Sequence, residues 1–180
     1  MTSLLALDHV LRDWIVTHRV HLFDGIMWTL SAVGRGGSVW LVIGAVLAWR
    51  RRSWPDFATL ALALLVASLA ANYVVKPVIR RERPFTHDSR RVIGGKPTDA
   101  SFPSGHAASA AAAALVLTIT APSARVVWWL LALVMAYSRV YLGVHYPLDV
   151  AGGALVGLVS ATVILLARRT PVNPSARGTY

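Results

Sequence analysis

Long apolar runs are the feature that most constrains the fold of this 180-residue chain. Residues 57–75, 126–142 and 148–166 contain very few charged side chains. Each approaches the roughly 20 residues that an α-helix needs to cross the hydrocarbon core of a bilayer. Only 14% of all residues are charged, against about 25% in a typical soluble domain. The sequence therefore predicts an all-α integral membrane protein.

The apolar runs divide the helical bundle into about five core segments. The first of them, residues 22–49, is interrupted at Gly34–Gly37, which favours a partly inserted helix over residues 22–33. One continuous helix through residue 49 is the alternative. The other four segments are residues 57–75, 103–120, 126–142 and 148–166.

The N-terminal segment has a different pattern. Apolar side chains recur at helical spacing over residues 3–19, but Asp8, Arg12 and Asp13 lie among them and make the segment too polar to span. We expect an amphipathic helix at the membrane interface. The predicted organisation is one membrane-embedded domain over residues 1–170, with residues 1–37 interfacial or partly inserted and a disordered tail at 171–180.

The charge balance limits the classes of partner. The net charge is +10, and the cations flank or interrupt the apolar segments instead of forming one solvated face. Anionic lipid head groups and a phosphate-bearing substrate explain this pattern better than nucleic acid does. The chain has no cysteine, which excludes disulfides, thiolate catalysis and Cys-ligated zinc.

Alternation of the predicted spans assigns the polar segments to two ends of the bundle. The positive-inside rule places the end that holds the arginines at 50–52, 125, 168 and 169 in the cytoplasm. The other end holds residues 77–102 and 143–147. We therefore expect a multi-pass protein of the cell membrane whose chemistry-bearing end is extracytoplasmic.

The first candidate cluster is a set of cations after the second core segment. Lys76, Arg80 and Arg83 are spaced i, i+4, i+7, so they share one face if the helix continues to Pro84. Several fixed cations are what a phosphoryl group needs for stabilisation of its transition state. An ordinary group of snorkelling side chains at a helix end is the alternative.

The second cluster is Pro103-Ser104-Gly105-His106, which opens an apolar helix. Proline suits the first turn of a helix, and the free N–H groups of that turn bind anions. The Ser104 hydroxyl would add a donor, and His106 would supply a proton to a leaving oxygen. A capped helix with a polar first turn is the alternative.

The third cluster combines Arg139, His145 and Asp149. An arginine inside apolar sequence costs roughly 2.5–3.5 kcal/mol on insertion scales, which makes it a functional candidate. Asp149 follows His145 by four residues, with Pro147 starting a helix between them. The carboxylate could hold one ring nitrogen and leave the other free to attack. A His–Asp pair that only caps a helix is the alternative.

The remaining histidines carry less information. His9, His18 and His21 belong to the N-terminal region, and His87 lies in the charged stretch, where we expect no essential role for it. Carboxylates are few at this end of the bundle and cations dominate, so the site should repel a metal ion and attract phosphate. We predict no metal and no cofactor.

The three clusters together resemble the signature of the type 2 phosphatidic acid phosphatase family. That signature is Lys-x6-Arg-Pro, then Pro-Ser-Gly-His, then Ser-Arg-x5-His-x3-Asp. The chain matches it at every position: Lys76, Arg83 and Pro84; Pro103 to His106; Ser138, Arg139, His145 and Asp149. The resemblance covers about residues 55–168, which would form the catalytic core.

The resemblance implies a metal-independent membrane phosphatase. His145 would be the nucleophile, Asp149 its orienting partner and His106 the proton donor. Lys76, Arg83, Ser104, Gly105 and Arg139 would hold the phosphate, whereas Arg80 is not part of the family pattern.

The expected reaction is hydrolysis of a lipid phosphate or diphosphate through a phosphohistidine intermediate. Polyprenyl diphosphate, phosphatidic acid and phosphatidylglycerol phosphate are the candidate substrates. Two alternatives share the same residues: a vanadate-dependent haloperoxidase, which the apolar spans disfavour, and a non-catalytic lipid-phosphate binder or transporter.

Overall fold

A computed structural model of the protein describes residues 3–86, 88 and 91–169. The predicted tail at 171–180 and His87 lie outside the described residues. The described part of the chain is helical and contains no strand. The helices are α1 (Ser3–Thr17), α2 (Asp24–Val33), α3 (Ser38–Arg51), α4 (Trp54–Leu69), α5 (Lys76–Ile79), α6 (Gly105–Thr120), α7 (Arg125–Tyr141) and α8 (Pro147–Arg169). This confirms the predicted fold class.

Several of these helices are suited to a bilayer. Among the described residues, three helical stretches are long and apolar enough to span it: Trp54–Ile79, Pro122–Tyr141 and Pro147–Arg168. The stretches His21–Val33 and Arg35–Arg51 meet at a 53° bend and form either a broken span or a re-entrant loop. The interruption predicted at Gly34–Gly37 is therefore present, and a single straight helix through residue 49 is not.

Helix α6 forms the centre of the bundle because its residues are small. Residues Ala107–Ala114 are all buried, and α6 packs against α4, α7 and α8. On α8, a β-carbon at Gly153 or Gly157 would overlap the backbone of α6 at Ser104 or Ala108. The two glycines therefore bring the helices into close contact, as expected for small residues four positions apart in lipid.

Contacts between helix ends support the predicted alternation of the spans. Arg51, at the end of α3, donates to the carbonyl oxygen of Thr120 at 2.9 Å. Arg168, near the end of α8, pairs with Asp56 in the first turn of α4 at 2.6 Å. These residues share one end of the bundle, so the segments after α5 and α7 lie at the other end.

Helix α1 is amphipathic, with two of its charged side chains directed inward. Asp8 and Arg12 are buried, whereas Leu7, Val10 and Trp14 are exposed. Exposed apolar side chains of this kind are stable in contact with lipid, and the buried charges need partners within the protein. The interfacial position of α1 stays a prediction.

Candidate active site

A cavity of about 460 Å³ lies at the end of the bundle where the three sequence clusters meet. Six of the eight predicted site residues line it: Lys76, Arg83, Gly105, His106, Arg139 and His145. The other two, Ser104 and Asp149, are fully buried beside it. Tertiary folding thus brings together groups that are up to about seventy positions apart in the chain.

The cation cluster is arranged differently from the prediction. Helix α5 ends at Ile79, and Arg80 follows in the left-handed conformation with a φ of 46°. The prediction that Arg80 shares a helical face with Lys76 and Arg83 is therefore wrong. Arg80 is exposed, and its Nε donates to the carbonyl of Pro77 at 2.8 Å. The helix cannot continue to Pro84, because a proline disfavours helical geometry at the residue before it.

Lys76 enters the cavity from a distorted helix. Residues Ala70–Val75 form a π-helical turn directly before it, a feature that often accompanies functional sites. The Nζ of Lys76 donates to Oδ1 of Asn72 at 2.9 Å, and it also pairs with the carboxylate of Asp99. The spacing of four residues between Asn72 and Lys76 is a local signal in the sequence for this contact.

Asp99 forms ion pairs with both Lys76 and Arg83, the two cations of the first cluster that line the cavity. Arg83 donates from NH2 to Oδ1 of Asp99 at 2.8 Å and from Nε to its carbonyl oxygen at 2.7 Å. Burial raises the pKa of this carboxyl group, but the hydrogen bond from Lys76 and the charge of Arg83 outweigh burial and lower the pKa to about 2. Two of the predicted phosphate ligands thus bind an internal carboxylate, and Asp99 belongs to none of the three sequence motifs.

His145 lies in the turn between α7 and α8 with its two ring nitrogens in different surroundings. Nε2 is 3.3 Å from NH1 of Arg83, on the cavity side. Nδ1 is 3.5 Å from Oδ2 of Asp149, a long contact. Burial, reinforced by the charge of Arg83, lowers the pKa of His145 to about 4, although the Asp149 carboxylate opposes this. The ring is neutral near pH 7 and keeps a lone pair available for attack.

The N-terminus of α6 provides the second cluster. The helix begins at Gly105, and Ser104 is its N-cap, with Oγ accepting from the N–H of Ala107 at 3.4 Å. Pro103 precedes the cap, so the prediction that this proline lies in the first turn of the helix is wrong. The Ser104 hydroxyl serves the helix cap, whereas Gly105 and His106 line the cavity.

A serine of α2 joins the second and third clusters. The Nε2 of His106 donates to the carbonyl oxygen of Ser31 at 3.0 Å, which assigns the proton to that nitrogen. The hydroxyl of Ser31 bonds to Arg139. Arg35 and Lys96 add two further cations to the cavity wall. No spacing rule connects Ser31 to the motifs, because it lies in the segment that precedes the family signature.

Comparisons with known proteins identify relatives of this chain. The family model of the PAP2 superfamily matches residues 56–172. An undecaprenyl-diphosphatase of Sulfolobus acidocaldarius is 36% identical over 146 residues, which are 78% of this chain and 68% of the relative. A decaprenylphosphoryl-5-phosphoribose phosphatase of Mycolicibacterium smegmatis is 43% identical over 132 residues, 69% of this chain and 67% of the relative.

Solved structures extend the likeness to the fold. The crystal structure of a transmembrane PAP2-type phosphatidylglycerolphosphate phosphatase from Bacillus subtilis superimposes with a TM-score of 0.75 at 25% identity. The match covers 96% of this chain and 90% of that one. The chain belongs to the PAP2 superfamily. The family predicted from the three motifs is confirmed, and so are the predictions of a membrane protein and of a phosphatase.

Proposed function

We propose that this protein hydrolyses a membrane lipid phosphate or diphosphate through a phosphohistidine on His145. The observation that carries the proposal is the position of the His145 ring, with Nε2 beside Arg83 at the cavity and Nδ1 facing Asp149. Covalent phosphoryl transfer requires a nucleophile that is oriented by a neighbouring group and lies next to fixed cations. Here the imidazole faces a carboxylate and lies beside a guanidinium.

In the first step, Nε2 of His145 forms a bond to the terminal phosphorus while the bond from that phosphorus to the leaving oxygen breaks. The leaving oxygen is the lipid oxygen of a monophosphate or the bridging oxygen of a diphosphate, which departs with the lipid monophosphate. His106 gives a proton to the leaving oxygen. Because its Nε2–H is donated to Ser31, the nitrogen left for this role is Nδ1, which must first take up a proton to give the imidazolium form. Asp149 stabilises the positive charge that develops on the His145 ring.

In the second step, water attacks phosphorus and the bond between phosphorus and Nε2 breaks. His106, now neutral, accepts the proton of the water, and inorganic phosphate leaves with His145 restored. Lys76, Arg83 and Arg139 line the cavity and would stabilise the charge on the phosphoryl oxygens in both steps. No step requires a metal ion or a cofactor.

A lipid substrate is supported by the position of the cavity at the end of apolar helices and by the relatives. Two of these are named for polyprenyl-linked phosphates, and the neighbouring crystal structure is named for phosphatidylglycerolphosphate. Polyprenyl diphosphate, phosphatidic acid and phosphatidylglycerol phosphate therefore form the substrate panel. Arg35 and Lys96 in the cavity wall favour the diphosphate as the first compound to test.

The activity is tested by phosphate release from each compound of the panel in detergent micelles, with EDTA present. We expect release by the wild type and by His18→Ala, a control at an exposed histidine away from the cavity. His145→Ala should be inactive and should form no acid-labile phosphoenzyme. Retained activity in His145→Ala would refute the assignment, and binding without release would support a lipid-phosphate binder or transporter instead.

The proposal places the site at the extracytoplasmic face of the cell membrane. Support comes from the arginines at the opposite end, which include Arg51 and Arg168. Because the chain has no cysteine, single cysteines at exposed positions report the orientation directly. A membrane-impermeant maleimide should label Arg80→Cys in intact cells and should label Arg50→Cys only after lysis; the reverse pattern would contradict the proposed side.

A further inference from the structure

Two charged side chains outside the family signature pack behind the pair formed by His145 and Asp149. Asp8, on α1, is 2% exposed, and the Arg81 side chain, in the irregular segment after α5, is 17% exposed. Neither is among the residues that line the cavity. Removing two charges from water costs several kcal/mol per ion, so their placement calls for compensating contacts.

Arg81 bridges two carboxylates. Its NH2 donates to Oδ2 of Asp8 at 2.6 Å, and its NH1 donates to Oδ1 of Asp149 at 2.8 Å. The guanidinium also stacks over the ring of Tyr146, with Cζ 4.1 Å from the ring centre. The second oxygen of Asp8 accepts from the N–H of Leu148 at 2.8 Å. Charge-assisted bonds and the aromatic contact together fix the plane of the guanidinium.

The other oxygen of Asp149 is held as firmly. Its Oδ2 accepts from Oγ of Ser101 at 2.5 Å and from the N–H of Tyr146 at 2.8 Å. With Oδ1 bound to Arg81, the carboxylate cannot rotate, and Oδ2 stays 3.5 Å from Nδ1 of His145. A carboxylate fixed in this way sets the orientation and the tautomer of the histidine that it faces.

The net charge of the group formed by Asp8, Arg81 and Asp149 also affects how Asp149 can act on His145. Arg81 alone would neutralise Asp149, which has to stabilise a positive ring when His145 bonds to phosphorus. Asp8 restores the balance, because two carboxylates and one guanidinium leave one net negative charge, as a lone Asp149 would. The pair therefore supplies rigid hydrogen bonding to Asp149 without removing its charge.

We propose that Asp8 and Arg81 are positioning residues that orient Asp149 against His145, which makes α1 part of the catalytic unit. The inference rests on the proposed function, since it requires that His145 attacks phosphorus. Because Asp8 and Arg81 lie outside the cavity, their loss should slow the chemical step and leave substrate binding nearly unchanged.

The test compares Arg81→Met, Arg81→Lys and Asp8→Asn with Arg168→Met, which breaks an ion pair of the same length, 2.6 Å, but more exposed, at the far end of the bundle. With a polyprenyl diphosphate in detergent micelles, we expect kcat to fall about 10- to 100-fold in Arg81→Met and Asp8→Asn, as for other partners that orient a reactive group. The KM should change by less than about twofold, and Arg81→Lys should recover part of the loss. Arg168→Met should keep the wild-type kcat.

Two further measurements separate positioning from simple stabilisation. The ¹⁵N shifts of the His145 ring should report one tautomer in the wild type and a mixture in Arg81→Met. In the double variant Asp8→Asn/Arg81→Met, the fold decrease in kcat should be smaller than the product of the decreases in the two single variants, because the residues act as a unit.

An unchanged kcat in Arg81→Met and Asp8→Asn, with thermal stability lowered as in Arg168→Met, would overturn the inference and leave a structural ion pair. If Arg81→Met does not fold, the kcat values of Arg81→Lys and Asp8→Asn test the inference in the same way. A normal kcat in these variants beside an inactive His145→Ala would refute this inference alone. An active His145→Ala would refute the proposed function as well.

Discussion

The guanidinium NH1 of Arg83 lies 3.3 Å from Nε2 of His145, although 62 residues separate the two in the chain. A cation at this distance disfavours a second proton on the imidazole. Burial of the ring acts in the same direction and is the larger cause, so the pKa of His145 falls to about 4. In the proposed reaction, a phosphoryl group bound to His145 would therefore lie next to a fixed cation.

We predict that His145 stays neutral down to about pH 4, well below its ordinary pKa of 6.5. The ring resonances of ¹⁵N-histidine protein in micelles, assigned with His145→Asn, measure this without interference from the ionisation of a substrate. Arg83→Gln should raise the His145 pKa, but only in part, because burial remains. A titration near pH 6.5 in the wild type would contradict the prediction.

The same shift predicts how stability depends on pH. Between about pH 6.5 and pH 4, the unfolded chain binds a proton at His145 and the folded protein does not. The free energy of unfolding should therefore decrease as the pH falls through this window and level off below it, as far as His145 is concerned. Thermal unfolding of the wild type and of His145→Asn across the window measures this contribution.

Asp99 is predicted to compete with the substrate for Lys76 and Arg83. Its carboxylate is ionised above about pH 2 and its side chain is 49% exposed, so each ion pair is worth at most about 1 kcal/mol. Asp99→Asn should tighten inhibition by inorganic phosphate by up to about fivefold, whereas Asp13→Asn, on the exposed side of α1, should not. Weaker inhibition in Asp99→Asn would mean that Asp99 holds the cations in place for the substrate.

Ser31 is predicted to support catalysis from α2. Its hydroxyl bonds to Arg139, and a lost hydrogen bond to a charged group costs about 1.5–3 kcal/mol. Ser31→Ala should therefore lower kcat/KM at least about tenfold. The matched control is Ser160→Ala, a buried helical serine of α8 that bonds to the carbonyl of Val156 and does not line the cavity. Equal effects of the two changes would show that Ser31 has no special role.

Gly157 is predicted to be essential for packing of α6 against α8. A β-carbon there would overlap the carbonyl oxygen of Ala108, so Gly157→Ala should destabilise the protein by about 1–3 kcal/mol or more. Gly25→Ala is the control, because no atom lies within 4 Å of its β-carbon and alanine favours a helix. Thermal unfolding in detergent measures both; a stable Gly157→Ala protein would contradict the close contact.

The position of Arg80 shows where reasoning from the sequence failed. The spacing i, i+4, i+7 predicts Arg80 on one face with Lys76 and Arg83, but the helix ends at Ile79 and Arg80 adopts the left-handed conformation. Arg81, one residue further on, is directed into the protein and reaches Asp149. A local pattern could not predict this exchange, because it depends on which side chain finds a carboxylate across the bundle.

Apolar run length and motif spacing are local properties of the chain, so they were enough to predict the membrane helices, the family and the three clusters. Which of these groups meet depends on tertiary packing. Asp99 lies against the cations, Ser31 joins His106 to Arg139, and Asp8 reaches the back of the site from the N-terminal helix. These contacts are long-range pairings of buried polar groups, and each depends on how the helices pack and not on the spacing of residues along one segment.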